Sequence, residues 1–203
     1  NFFQNLLLDN MLLVDIYNRA KKLHIECSVP RAVFLIETGQ ERDTTASELL
    51  NGMFSFQNGD YITAVDESSV ILVKSLMPEE KYEKLDQIAN TIVDMMSMEA
   101  MLNVRVAYGT IVSELKEVSK SYKEAKMALD VGKIFYAEKK VTGYNTLGIG
   151  RLIYQLPVNL CRIFIDEIFG ENVPDDLDDE ILTTINKFFE NNLNVSETSR
   201  QLF

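Results

Sequence analysis

Short runs rich in β-branched and aromatic residues alternate with longer amphipathic stretches from residue 31 to residue 144, and beyond Leu147 the short runs stop. This alternation is the strongest constraint on the fold, because short apolar runs between turn residues predict strands, whereas apolar positions three and four apart predict helices. Arg31-Ala-Val-Phe-Leu-Ile-Glu37 reads as a buried strand after Pro30. Thr45-Ala-Ser-Glu48 has the form of a capping box and opens a helix through Leu49, Leu50 and Met53, with a turn at Asn58-Gly59. Tyr61 to Val65 and Val70 to Val73 are strand-like and lie close together, which predicts an antiparallel hairpin about Asp66-Glu67-Ser68-Ser69. Pro78-Glu79-Glu80 predicts the start of a long helix, with proline at the first position and acids in the first turn. Its apolar stripe includes Leu85, Ile88, Ile92, Met95 and Met96, and Met95, Met96, Met98 and Met101 read as core filling.

Val104 to Tyr108 is a strand ending at Gly109. Ser113 to Ala128 is an amphipathic helix with Leu115, Val118, Tyr122, Ala125 and Leu129 inward, and Lys116, Lys120, Lys123 and Lys126 on a solvated face. Lys139 to Tyr144 supplies a last edge strand. The order predicts an α+β fold, a ferredoxin-like βαβ sheet with helices packed on it. Residues 1–24 precede it as helix, with Phe3, Leu6, Leu7, Leu12, Leu13, Ile16, Ala20 and Leu23 at helical spacing, and Asp9-Asn10 interrupting and capping a second helix. The expected organisation is a helical lead-in (1–27), the sheet domain (28–146) and an all-helical segment (147–203), in which Pro157 interrupts a helix and Pro174 to Glu180 is an acidic loop.

Charge and residue inventory remove several function classes. With 20 basic against 31 acidic residues the net charge is −11, so the chain is no general polyanion binder, since phosphate neutralisation supplies most non-specific affinity for nucleic acid. The same excess disfavours an anionic membrane surface, and no uncharged stretch approaches the roughly 18 apolar residues of a membrane span. Cys27 and Cys161 lie far apart and read as free thiols of a cytoplasmic chain. No signal-peptide pattern opens the sequence, and a first residue Asn1 in place of Met fits an excised piece. A single histidine, His24, and two distant cysteines cannot build a Cys/His zinc site. His24 ends a helical stretch, where a cation suits the negative helix terminus, and that reading is favoured over catalysis. No phosphate loop occurs, and Gly148-Ile149-Gly150 meets Ile153 where a dinucleotide fingerprint needs Gly or Ala. No cofactor and no metal is expected.

The tail carries the most specific signal. Ile181 to Glu190 is a helix, Asn191-Asn-Leu-Asn194 a short turn, and Asn194-Val-Ser-Glu197 an N-cap with an acid three residues on, so a second helix begins there with Leu202 and Phe203 on its apolar side. Helix, short turn and capped helix is how a helix-turn-helix begins.

The stretch Phe189-Glu-Asn-Asn-Leu-Asn-Val-Ser-Glu-Thr-Ser-Arg-Gln-Leu-Phe203 resembles the opening of the C-terminal helix-turn-helix of PucR-like, carbohydrate-diacid-regulator (CdaR-type) transcription factors. Arg31 to Tyr144 is similar to that family's central domain, a degenerate relative of the GGDEF nucleotide-cyclase domain, most recognisably at Val106-Ala-Tyr-Gly109 and from Leu115 through Ser121 to Leu129. Phe3 to His24 resembles the segment leading into it. The resemblance implies a fragment of a bacterial regulator that responds to sugar diacids. In such a regulator Asn194, Val195, Ser196, Glu197, Thr198 and Arg200 belong to the DNA-binding scaffold, and the reading helix follows them.

It also implies where cyclase chemistry would sit. Active relatives place Gly-Gly-Asp/Glu-Glu-Phe on the hairpin turn, where glycines admit the nucleotide and acids hold magnesium. Asp66, Glu67, Ser68 and Ser69 stand there instead, followed by Val70. Of the two metal-binding aspartates at the end of the first strand, only Glu37 in Ile36-Glu37-Thr38-Gly39 could substitute. These acids read as turn and strand-end residues, and no cyclase activity is expected.

The expected function is therefore a signal-relay and dimerisation domain joined to an incomplete helix-turn-helix. DNA is a partner only of the full-length protein, a homodimer is the expected assembly, and a small-molecule effector is expected at a domain preceding Asn1. Residues 151–203 hold four basic residues against ten acids, so this chain itself offers little to phosphates. The alternative is a nucleotide-binding or cyclase-derived domain with residual magnesium or nucleotide binding. A third reading is a purely structural dimerisation module, supported by exposed Leu and Phe in the first helix.

Overall fold

In the computed structural model, which describes residues 2–39, 44–55, 58–64, 66, 68–170 and 178–202, the predicted strands form one five-stranded sheet in the order β2-β3-β1-β4-β5. They are β1 (Arg31–Glu37), β2 (Tyr61–Thr63), β3 (Ser69–Ser75), β4 (Arg105–Tyr108) and β5 (Val141–Gly143). Central β1 pairs antiparallel with β3 and with β4, and β2 pairs antiparallel with β3. Those four strands have the ferredoxin-like order, and β5 adds parallel to β4. The fold is the α+β, βαβ sheet expected, with Val65 of the predicted hairpin outside the described residues.

Burial explains why β1 reads as a continuous apolar run: both its faces are covered. Val33 and Leu35 point into one core with α1 (Phe2–Leu7), α2 (Leu13–Lys22) and α5 (Val118–Phe135). Ala32, Phe34 and Ile36 point into the other, with α3 (Thr44–Met53) and α4 (Tyr82–Ala100). The predicted inward face of α5 is borne out, since Leu115, just ahead of the helix, and Val118, Tyr122, Ala125 and Leu129 are all buried.

Five local expectations are corrected. The long helix begins at Tyr82, not Pro78, because Glu80 closes a turn on Met77 through both its backbone N–H and its carboxylate. Of its methionines, Met96 is fully buried and Met95 partly so, but Met98 and Met101 are exposed. Asp9-Asn10 separates α1 from α2 without capping α2, whose N-cap is Leu12. Asp9 instead ends α1 with φ 61° and pairs with Lys123 at 3.1 Å, and Lys116 pairs with Glu114 at 2.7 Å, so two lysines of the solvated face have partners. The helix after β4 starts with a 3₁₀ turn, Leu115–Glu117, closed by a capping box between Glu114 and Glu117, and α5 runs seven residues past Ala128.

The fifth concerns helix 1–24. Phe3, Leu6 and Leu7 are buried in the chain's own core, whereas Leu8, Leu12, Leu13 and Leu23 are exposed, so the leucines expected on the surface of this stretch are there and its phenylalanines are not among them. Phe3 stacks on Tyr61 with ring centroids 3.9 Å apart, and the Gln4 side chain donates to the Ala64 carbonyl, so α1 covers the β2 edge of the sheet. His24 lies just past α2 in the left-handed region, with its N–H on the Lys21 carbonyl and the Ile25 N–H on Ala20. This Schellman closure fixes His24 as a helix terminator. Two compact units divide between Gln155 and Leu156. The first contains the sheet, α1 to α5 and α6 (Gly150–Tyr154). The second contains α7 (Val158–Phe169), α8 (Asp179–Glu190) and α9 (Val195–Leu202).

Candidate functional site

Two places in the chain concentrate the predicted functional residues. In the first unit the antiparallel register sets Glu37 at the end of β1 opposite Ser69 at the start of β3. Thr38 donates both its N–H and its hydroxyl to the Ser68 carbonyl, which closes the strand end onto the hairpin turn. The structure therefore brings together the positions that the sequence singled out, apart from Glu67, which lies outside the described residues.

Their chemistry is already committed. The Glu37 carboxylate accepts from the Lys133 ammonium of α5 at 2.7 Å. Asp66 accepts from the Ser68 N–H at 3.0 Å, from the Ser68 hydroxyl at 3.2 Å and from the Ser69 hydroxyl, an Asx-type turn. Partial burial pushes the Asp66 carboxyl up, but the donors of Ser69 and Ser68 outweigh it and hold the group below the usual carboxylate range. Burial, with the Asp66 charge added, pushes the nearby Tyr122 hydroxyl up. Among the described residues no three His, Cys, Asp or Glu side chains gather as a metal cluster. Two clefts of about 400 and 410 Å³ open elsewhere, one beside Phe3, Phe54 and Tyr61, the other beside Asp86, Tyr136 and Lys139.

Lys133 was missed by sequence reasoning. It sits on the same lysine-rich helix as the residues read as a solvated face, and only the pairing of α5 against the end of β1 distinguishes it.

Because its pKa is depressed in the folded state, Asp66 stabilises the hairpin above the ordinary carboxylate value of about 4, and that contribution disappears as pH falls through the depressed value. Asp66→Ala is expected to cost about 0.5–1 kcal/mol at neutral pH. In urea unfolding followed between pH 6 and pH 3, the difference from the unaltered chain should shrink towards the acid end. A gap that stays constant with pH would refute the charged-turn account.

In the second unit, taken by itself, the tail has the predicted helix, turn and capped helix. The Asn194 side chain accepts from the Glu197 N–H at 3.1 Å, the N-cap expected. Asn192 and Leu193 have positive φ, and the Leu193 N–H returns to the Phe188 carbonyl, so α8 ends in a tight left-handed turn. Thr198 is buried, and its hydroxyl lies on the Asn194 and Lys187 carbonyls and within reach of the Asn191 amide, which also donates to Gln201. The angle between α8 and α9 is thereby set by side chains of the turn itself. Arg200 donates to Glu197 at 2.7 Å and Gln201 joins it, which holds the Glu197 carboxyl below its ordinary range. Val195 and Ser196 are exposed on the first turn of α9. The acidic loop lies largely outside the described residues, as does Phe203. Among the described residues Ile181, Leu182, Ile185, Phe189 and Leu193 are exposed apolar side chains of this helix pair.

A family model described as a GGDEF-like domain matches residues 10–131. No curated protein matches the sequence. Among solved structures the chain is similar to a regulator of polyketide synthase expression from Bifidobacterium adolescentis, with a TM-score of 0.54 and 12% sequence identity over 99% of this chain and 75% of that one. At that identity the likeness speaks to the fold. Among the described residues no helix is long and apolar enough to cross a membrane.

Proposed function

This chain belongs to the GGDEF-like domain family, and from that premise we propose that it is the relay part of a cytoplasmic transcriptional regulator of the PucR-like, carbohydrate-diacid-regulator kind, and not a cyclase. The observation that carries the reading is the α8–turn–α9 pair: a capped helix held at a fixed angle by Asn191, Asn194 and Thr198, with an apolar face that calls for a further helix. The regulatory role named for the solved neighbour agrees with it. The sheet domain relays the signal of an effector bound by an N-terminal domain and supports a homodimer, and a helix beyond Phe203 reads DNA. Cyclase chemistry is disfavoured because Glu37 is held by Lys133, while Asp66 is spent on its own turn.

Fluorescence anisotropy on DNA from the gene's own upstream region tests this. The chain as given is compared with one extended by about 40 residues past Phe203, enough to complete a reading helix. The extended chain is expected to bind at least about 100-fold more tightly, with log K falling by about 0.9 per phosphate contact against log salt. If it ignores both this DNA and unrelated promoters, the regulator reading fails. Heat of binding on titration with Mg-GTP would then return the nucleotide-domain reading to the front.

A further inference from the structure

The C-terminal end of α4 carries thioethers that the fold does not use. Met95, Met98 and Met101 follow one another at intervals of three residues. Met95 is partly buried against the α3–α4 core, but Met98 is 81% exposed and Met101 93% exposed. These two positions forgo the stabilisation that burial of a methionine brings. Met101 also ends the helix with φ 53°, a left-handed conformation that glycine or asparagine adopts at lower cost. Neither packing nor helix termination therefore calls for methionine at 98 or 101.

The same helix end is electrically negative. α4 is 19 residues long and has no basic residue in its last turn, so the pole of its macrodipole is not offset within the helix, and exposed Glu99 adds to it. Soft sulfur donors and a field that favours a cation thus coincide at one place.

We propose that Met95, Met98 and Met101 form a binding site for a soft monovalent cation of the copper(I) class. Thioethers are neutral, polarisable donors that select copper(I) and leave magnesium, calcium and manganese to oxygen ligands. Met95 and Met98, three apart within α4, have Cβ atoms about 5–6 Å apart, Met101 follows at the C-cap, and the three rotatable bonds of methionine let neighbouring sulfurs turn onto one ion. The helix terminus meets the positive charge that neutral ligands leave uncompensated. The ion binds without change of oxidation state, displacing only water. Since thioethers do not titrate, affinity is the same at pH 5.5 and pH 7.5, unlike that of a thiolate or imidazole site.

Silver(I), a redox-stable probe of the same class, tests the site in the full chain carrying Cys27→Ala and Cys161→Ala, so that thiols do not compete. The readout is the NMR signal of 13C-labelled methionine methyl groups in chloride-free buffer. The signals of Met95, Met98 and Met101 are expected to move together and saturate near one equivalent, while those of Met11, Met53, Met77, Met96 and Met127 stay. The double variant M98L/M101L should lose at least tenfold in affinity and keep its fold. Met77 is the internal control, because it is also exposed but stands alone. Equal movement of Met77 would mean that exposure alone is being read, and immobility of the three signals in excess silver would equally overturn the proposal. Should the cysteine variant fail to fold, the unaltered chain gives the same decision once its two thiols have taken the first ions.

Discussion

Replacing Gly109 by alanine is expected to destabilise the sheet unit by about 3 kcal/mol or more, read as a fall in the urea midpoint at unchanged m value. A Cβ at this position would lie 2.0 Å from the carbonyl oxygen of Ser121 and 2.7 Å from its carbonyl carbon, which are backbone atoms of α5 and cannot rotate away. The surroundings are equally fixed. The Gly109 N–H donates to the Val33 carbonyl at 3.0 Å. The fully buried Ser121 hydroxyl accepts from the Val33 N–H and donates to the Thr110 carbonyl at 2.8 Å. Admitting one methyl group means lifting α5 off the end of β4 and breaking this junction of β1, β4 and α5. Gly132→Ala is the contrast: its Cβ would meet Thr142 Oγ1 at 2.6 Å and Cβ at 3.2 Å, side-chain rather than backbone atoms, and alanine recovers up to about 1 kcal/mol of helix propensity, which offsets part of the cost of shifting that threonine. A Gly132→Ala variant clearly less destabilised than Gly109→Ala is the expected pair. Equal stability of the two variants would mean that α5 does not seat on the strand end as described.

The same junction shows what was legible in the sequence. The β-branched run 31–37 and the lysine-flanked helix with Tyr122, Ala125 and Leu129 inward follow from periodicity, which is local and strong in both. That Gly109 is a point of helix-to-strand contact does not follow, because a glycine after a strand reads the same whether it makes a turn or admits a neighbour. Helix starts were misplaced where a side chain closed a turn first, as Glu80 does on Met77. Met98 and Met101 are exposed although the core continues past them through Ala100 and Leu102, because Met98 stands about 200° round the helix from Met96, off the buried stripe, and Met101 stands at the C-cap outside the helix.

The candidate site divides along similar lines. The resemblance implies that Glu37 and the hairpin turn share a site, and the register of β1 against β3 sets Glu37 opposite Ser69. What holds each acid was not legible, since Lys133 is 96 residues from Glu37 and no local pattern links them. The tail is the opposite case. Its N-cap, turn and second helix rest on contacts within about a dozen residues, so Asn194 and Glu197 could be placed from sequence alone. Long-range pairing is the part that a single sequence conceals, and in this chain that pairing occupies the Glu37 carboxylate.

Arg31→Met is expected to cost about 2–3 kcal/mol and to loosen residues 26–30 ahead of the rest of the unit. Arg31 opens β1 and is 2% exposed. Its Nη1 donates to the Val29 carbonyl at 3.2 Å and its Nη2 to the Glu26 carbonyl at 2.6 Å, so one planar fork ties the α2–β1 connection to the sheet. Two terms oppose each other on substitution. Methionine spares the desolvation of a cation that has no carboxylate partner among the described residues, a cost visible in the guanidinium pKa, which burial lowers against the pull of Tyr61, Cys27 and Glu26. Against this, two loop carbonyls lose hydrogen bonds to a cation, which contribute about 1.5–3 kcal/mol each. The second term is the larger, because both bonds of the fork are lost together. Arg31→Lys should be no better than methionine, since an ammonium lacks the planar fork that spans both carbonyls and is itself costly to bury. Amide exchange resolves the outcome: residues 26–29 should exchange faster in both variants, while Phe34, Ile36 and Leu72 follow global stability. If the methionine variant matches the unaltered chain in both stability and loop exchange, hydrophobic packing alone holds α2 to the sheet and the fork contributes nothing.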